Sequence, residues 1–144
     1  MNYKRTKYFS TSSKGKIKYL FLNKKSQILV VFFHGFMSDM LGAKPSAIQK
    51  FCKKGKLNFL KFEYSGHGSS SGKFINGNIS KWTSDAKSLI RSKSKNSKKF
   101  IFIGSSMGSW IALNLLSTFK KKIKRFYWNC FSPRISRRID VEKV

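Results

Sequence analysis

One short segment restricts the fold of this chain more than any other: a strand meets a helix through the five residues Gly104 to Gly108 (Gly-Ser-Ser-Met-Gly). The apolar residues before it have the length of a buried strand, and those after it have a helical pattern. Glycines on both sides of Ser106 remove the Cβ atoms that would block so sharp a turn. The pattern predicts a strained serine with an exposed Oγ, facing the N–H groups and partial positive charge of a helix N-terminus. The alternative interpretation is an ordinary strand-to-helix turn.

Strands and helices alternate along the rest of the chain. Aromatic-rich stretches between Tyr3 and Leu22 predict an opening pair of strands. The later elements are predicted as a strand over 27–33, a helix over about 44–54, a strand over 57–63, a helix over 79–90, the strand and helix of the 104–108 turn with the helix ending near Thr118, and a further strand from Ile123. This order predicts an α/β fold, with a mostly parallel sheet and helices on both faces.

A second motif, His34-Gly35-Phe36, follows the buried strand over 27–33. In acyl transfer the carbonyl oxygen becomes negative, so two N–H donors must already point at it. Gly35 would let the chain turn away from the sheet, so that the N–H of Phe36 is one donor and that of Met107 is the other. His34 is interpreted as a brace for this turn rather than as a base. His67, in the glycine-rich loop after the next strand, is interpreted as a histidine whose hydrogen bonds are satisfied within that loop.

The chain is strongly basic, with 31 Lys and Arg against 5 Asp and Glu and a net charge of +26. Such a charge suggests nucleic acid or an anionic membrane as a partner. Lysines are scattered through every predicted loop, however, and no RNP-like motif, zinc-finger spacing or one-sided basic helix is present. We therefore expect no specific nucleic-acid partner, and keep a basic nucleic-acid-binding module as an alternative.

Cysteine content and hydropathy favour a cytoplasmic protein. Cys52 and Cys130 form neither a disulfide framework nor a metal site, so both are expected to be reduced. No signal peptide or membrane span is predicted. We expect no cofactor and no metal, and the sequence leaves the oligomeric state open.

Four motifs in order resemble the α/β-hydrolase superfamily. They are 30–40 (VVFFHGFMSDM), 62–72 (FEYSGHGSSSG), 82–85 (WTSD) and 103–113 (IGSSMGSWIAL). Within the superfamily they are similar to the branch of the mitochondrial palmitoyl-protein thioesterase that also cleaves acyl glucuronides. The resemblance covers about residues 16–124 and implies a serine hydrolase of small-molecule carboxylic esters or thioesters. It implies Ser106 as the nucleophile that forms an acyl-enzyme, Phe36 and Met107 as oxyanion donors, and no cofactor.

The chain departs from this family after Ser106. In the family an acid and then a histidine follow the nucleophile. Here Asp140 and Glu142 are the only acids after Ser106, and no histidine follows it. We therefore expect weak or no hydrolysis by this polypeptide, and a non-catalytic, hydrolase-like interaction protein is a further alternative. A smaller departure is Ser109, where the family often has glycine.

The tail from about residue 125 has a different composition from the rest. Residues 125–139 hold four of the six arginines. If the codons from Arg125 onwards are back-translated and read in the frame that starts one base later, one choice of codons gives GFIGIASAPEFLEEL. This shifted sequence has a clearer pattern of a strand followed by a helix than the written sequence has. We therefore expect residues 1–144 to form a single, incomplete α/β-hydrolase domain whose tail is aberrant, and the nucleotide sequence across codon 125 tests this.

Overall fold

The structure is a computed structural model that describes residues 6–129 and 137–140. The strands are β1 (Thr6–Ser10), β2 (Lys16–Leu22), β3 (Ile28–Phe33), β4 (Asn58–Phe62), β5 (Lys99–Ser105), β6 (Ile123–Asn129) and β7 (Arg137–Asp140). The helices are α1 (Ala43–Lys54), α2 (Ile79–Lys93) and α3 (Met107–Asn114), with a short 3₁₀ turn at Phe74–Asn76. The predicted order of strands and helices is thus confirmed over residues 6–129.

The strands form one sheet in the order β1-β2-β4-β3-β5-β6-β7. The four strands β4, β3, β5 and β6 are parallel neighbours, whereas β1, β2 and β7 pair antiparallel with their neighbours. Because the parallel strands end at the same edge, the loops after β3 and β4 and the turn after β5 lie together there. The candidate residues all follow these strands.

The sheet has a core on each face. Leu29, Val31 and Phe33 of β3 belong to a large apolar cluster that also contains residues of α2 and α3. Val30 and Phe32, which alternate with them, belong to a second cluster that contains Cys52 of α1. A strand buried on both faces reads as a continuous apolar run, which explains the sequence of β3 and confirms helices on both faces.

Two details near the C-terminal end of the described chain differ from expectation. Helix α3 ends at Asn114 rather than near Thr118, and consecutive turns follow it. In these turns Phe119 packs its ring against Phe100 and Phe102 of β5, so tertiary packing outweighs the helical pattern. No strand is predicted after the one that begins at Ile123, whereas β7 (Arg-Arg-Ile-Asp) pairs antiparallel along β6.

None of the described helices is long and apolar enough to cross a membrane. Cys52 is a free, buried thiol, and burial raises its pKa to about 11. Cys130 lies outside the described residues.

Candidate active site

Ser106 occupies a strained turn between β5 and α3. Its backbone has φ +50° and ψ −121°, in a region that costs a non-glycine residue about 1–3 kcal/mol. It stands immediately before the first residue of α3, and its side chain is partly exposed. Among the described residues, the Ser106 hydroxyl has no hydrogen-bond partner. The strained backbone is the one that the Gly-x-Ser-x-Gly pattern predicts.

Gly104 and Gly108 are sites of close backbone approach. A Cβ at Gly108 would lie 2.1 Å from the carbonyl oxygen of Phe33, and one at Gly104 would lie 2.5 Å from the Cα of Ser109. Neither glycine has a positive φ. The strand and the helix can therefore meet this tightly only because both positions lack a side chain.

The loop after β3 lies directly beside Ser106. A Cβ at Gly35 would be 3.5 Å from the Cβ of Ser106 and 3.3 Å from the carbonyl oxygen of Ser105. Gly35, like Gly104 and Gly108, does not have a positive φ. A glycine is therefore favoured at position 35 by the small space beside Ser106 rather than by the backbone conformation of the turn. Within residues 6–129 the amides of Phe36 and Met107 donate no hydrogen bond, and both residues line the same cavity as Ser106.

This cavity has a volume of about 710 Å³. Its walls are largely apolar and aromatic, and come from α2, α3 and β6. They include Ile79, Trp82, Trp110, Leu113, Phe126 and Trp128. These wall residues are not predictable from the sequence, because their elements are far apart in the chain.

His34 is buried and its ring holds the loop after β3. Its Nδ1 lies 2.8 Å from the carbonyl oxygen of Gly35, and its Nε2 lies 3.4 Å from the amide nitrogen of Tyr64. The Tyr64 hydroxyl donates to the carbonyl oxygen of His34 at 3.0 Å. Burial lowers the pKa of His34 to about 4, so the neutral ring donates from Nδ1 and accepts at Nε2. His34 is thus the brace that the sequence predicted.

The carbonyl group that His34 holds belongs to the peptide joining Gly35 to Phe36. In a planar trans peptide the N–H points opposite to the C=O. The hydrogen bond from Nδ1 to Gly35 therefore fixes the direction of the Phe36 N–H.

His67 lies in a cage of aromatic rings that includes Phe74 and Trp82. Its Nδ1 is 3.2 Å from the carbonyl oxygen of Ser65, which also accepts from Trp82 Nε1 at 3.0 Å. Its Nε2 is buried and has no partner among the described residues, so the prediction of a satisfied ring holds for one nitrogen only. Burial lowers the pKa of His67.

Asp85 of α2 reaches the same loop, where its Oδ2 accepts from the amide of Ser65 at 3.4 Å. Burial raises the pKa of this carboxyl.

Neither described histidine makes a hydrogen bond to Ser106. The ring nitrogens of His34 are both engaged by main-chain groups. Asp140 lies in β7, where the backbone pairing places it opposite Arg125, and Glu142 lies outside the described residues. A serine–histidine pair of the kind that activates a nucleophile is therefore not formed within the described part of the chain.

The strand order and the strained serine between β5 and α3 are those of an α/β hydrolase. A family model described as serine aminopeptidase, S33 matches residues 24–138. The chain belongs to this family.

Known proteins similar to this chain are hydrolases. The mitochondrial palmitoyl-protein thioesterase ABHD10 of Rattus norvegicus is 36% identical over 85 residues, which are 59% of this chain and 28% of the relative. The structure of the mouse α/β hydrolase domain-containing protein 10 has a TM-score of 0.74 and 30% identity, over 82% of this chain and 46% of that one. The Pyrococcus furiosus esterase PF2001 has a TM-score of 0.66 and 25% identity, over 82% and 46%. The chain thus spans less than half the length of each of these proteins.

Proposed function

We propose that this chain carries the nucleophile and the oxyanion-binding half of a serine hydrolase that acts on carboxylic esters or thioesters. The observation that carries the proposal is the backbone of Ser106, at φ +50° between β5 and α3. Strain of this kind persists only where the surrounding structure imposes it, and it is concentrated at functional sites. Attack by Ser106 Oγ on the acyl carbon would expel the alcohol or thiol and leave an acyl-enzyme.

Two unengaged amides support this chemistry. Phe36 and Met107, whose amides donate no hydrogen bond within residues 6–129, line the same cavity as Ser106, and Met107 is the first residue of α3. Donors that point at a developing oxyanion each contribute about 2.7–4 kcal/mol to catalysis. The apolar walls of the cavity favour an acyl group over a charged substrate. The relatives named as a thioesterase and an esterase agree with this class of substrate.

Within the described residues no base is bonded to Ser106, and this limits the expected activity. A serine hydroxyl is a poor nucleophile until a base accepts its proton, and neither described histidine bonds it. We therefore propose that the 144-residue polypeptide hydrolyses esters slowly or not at all unless a base is supplied.

A fluorophosphonate probe followed by peptide mapping tests the nucleophile. We expect slow labelling at Ser106, none in Ser106→Ala, and unchanged labelling in the matched control Ser105→Ala. Labelling that persists in Ser106→Ala would refute the assignment.

Added imidazole tests the missing base. A small neutral base can enter a cavity of about 710 Å³ and accept the serine proton. The rate of ester hydrolysis should then rise in proportion to the concentration of neutral imidazole. The Ser106→Ala variant is the control, because hydrolysis in its presence measures the direct reaction of imidazole with the ester. The rate with the unaltered protein should exceed the rate with this control. Equal rates for the two proteins would contradict the proposal.

A non-catalytic, hydrolase-like interaction protein is the second candidate, and the absence of a base bonded to Ser106 among the described residues favours it. This candidate predicts cooperative thermal unfolding together with an inert Ser106, even in imidazole. For either candidate we propose a cytoplasmic location, which cell fractionation would test.

A further inference from the structure

Glu63 lies at the junction of the two loops that border Ser106. It directly follows β4 and is 1% exposed. The loop after β3 carries Phe36, and the loop after β4 carries His67. Glu63 is one of only five acidic residues in the sequence, and the function proposed above gives it no role.

The two oxygens of its carboxylate bind the two loops separately. Oε1 accepts from the amide of Ser69 at 3.0 Å, and Oε2 accepts from the amide of Met40 at 3.4 Å. The main chain of Glu63 is fixed as well, since its carbonyl oxygen accepts from Ser70 Oγ at 2.6 Å and its amide donates to Lys18 at 2.9 Å. The side chain of Glu63 therefore joins the two loops, and its main chain joins them to Lys18 of β2.

The loop after β4 is shaped around this carboxylate. Gly68 has φ +51°, and a Cβ there would lie 2.3 Å from the carboxyl carbon of Glu63. Only a residue without a side chain lets the backbone come this close to the carboxylate. Lys61 of β4 is also buried, and the negative charge of the nearby Glu63 opposes the lowering of the Lys61 pKa by burial.

The loop after β3 has two fixed points. Gly35 packs against Ser106, and Met40 is completely buried with its amide bound to Glu63. Between them the chain turns tightly, with Met37 at φ +50° and the amide of Ser38 donating to Gly35.

We propose that Glu63 is a positioning residue, whose carboxylate fixes the loop of residues 35–41 and so holds the Phe36 N–H beside Ser106. The link to Ser106 rests on the function proposed above, whereas the anchoring of the loop does not. A carboxylate suits this position because it accepts from two amides at once. A carboxamide has only one oxygen and would present an N–H₂ group to the other amide.

The variant Glu63→Gln tests the proposal, with Ser70→Ala as the matched control. Ser70→Ala removes hydrogen bonds from the loop after β4 and leaves both carboxylate contacts in place. We expect hydrogen exchange of residues 35–41 to become faster in Glu63→Gln and to stay unchanged in Ser70→Ala. Exchange in α1 serves as the internal reference for both.

Labelling of Ser106 by the fluorophosphonate probe gives the second measurement. A misplaced oxyanion donor slows the chemical step, so the rate constant at saturating probe should fall about tenfold or more in Glu63→Gln. The probe concentration at half saturation should stay within about twofold, because the cavity walls are untouched. In Ser70→Ala both constants should match those of the unaltered protein.

The outcomes separate this proposal from the assignment of the nucleophile. Unlabelled wild-type protein with faster exchange of residues 35–41 in Glu63→Gln would refute the nucleophile and support the anchoring. Equal exchange and equal labelling in Glu63→Gln and Ser70→Ala would overturn the role of Glu63. If Glu63→Gln does not fold, hydrogen exchange in the unaltered protein tests the anchoring of the loop. The amide of Met40 should then exchange more slowly than the amides of Met37 and Asp39. Equal exchange rates for the three amides would refute the anchoring.

Discussion

The variant Gly108→Ala offers a direct test of how α3 is seated on the sheet. The added Cβ would lie 2.1 Å from the carbonyl oxygen of Phe33 and 2.5 Å from that of His34. Real Cβ atoms do not approach closer than 3.0 Å, so the first contact falls short by about 0.9 Å. Phe33 ends a strand that is paired on both sides, and the carbonyl of His34 is bound by Tyr64. The helix, rather than the sheet, must therefore move.

The magnitude follows from the kind of atom that blocks the Cβ. Overpacking costs about 1–3 kcal/mol, and we expect the upper end because main-chain atoms of a central strand obstruct the new methyl group. Alanine in a helix gains about 1 kcal/mol over glycine. The free energy of unfolding should therefore fall by about 2 kcal/mol, which lowers Tm by about 4–8 °C for a chain of this size.

Thermal unfolding followed by far-UV circular dichroism measures this change. Gly42→Ala is the matched control, since Gly42 has φ −63° and the nearest atom to its Cβ, Cδ of Pro45, is 3.8 Å away. Because Gly42 is the N-cap of α1, where alanine is less favourable than glycine, we expect Gly42→Ala to lower stability by about 1 kcal/mol, half of the fall expected for Gly108→Ala. Equal Tm values for the two variants would show that α3 does not rest on the end of β3 as described.

Three further predictions concern acid, thiol reactivity and charge. Because the pKa of His34 is about 4 in the folded protein and near 6.5 when unfolded, protonation favours the unfolded chain. The free energy of unfolding should fall by up to about 3 kcal/mol as the pH is lowered from 6.5 to 4. Urea titrations at the two pH values should show a smaller fall for His34→Gln than for the unaltered protein, and equal falls would contradict the role of this ring. Cys52, whose pKa burial raises to about 11, should react with iodoacetamide only on unfolding, as peptide mapping would show, and fast native labelling would refute its burial. Binding to duplex DNA should weaken steeply with salt and show no sequence preference, whereas sequence-specific binding that persists at high salt would contradict the expectation of no specific nucleic-acid partner.

The sequence predicts the features of this fold that depend on neighbouring residues. The apolar run of β3 identifies a strand buried on both faces, and the glycines around Ser106 identify a turn that side chains would block. Both signals are local, since each reports what one short segment can or cannot do. The brace formed by His34 is predictable for the same reason, because its main partner is the adjacent residue Gly35.

Apart from the pairing of Phe36 with Met107, features that join distant segments were not predicted. The cavity beside Ser106 is lined by Trp82, Trp110 and Trp128, and nothing in the local pattern of any one of them indicates the others. The early end of α3 depends on Phe119 finding the rings of β5. Glu63 did leave a signal, since an isolated acid between Phe62 and Tyr64 stands out in a chain with so few acids, but its partners became visible only with the fold.

Three of the four acids in the described residues, all but Asp140 of β7, accept hydrogen bonds from loop amides, and these contacts give them a structural role in so basic a chain. Asp39 accepts from the amide of Leu41 at 2.7 Å, Glu63 accepts from two loop amides, and Asp85 accepts from the amide of Ser65. All of these donors lie in the loops after β3 and β4, at the edge where Ser106 stands. Lysine can take almost any solvated position, but it has no acceptor with which to hold a main-chain N–H. The net charge therefore describes the surface of this protein, whereas its few carboxylates hold the loops around the candidate nucleophile.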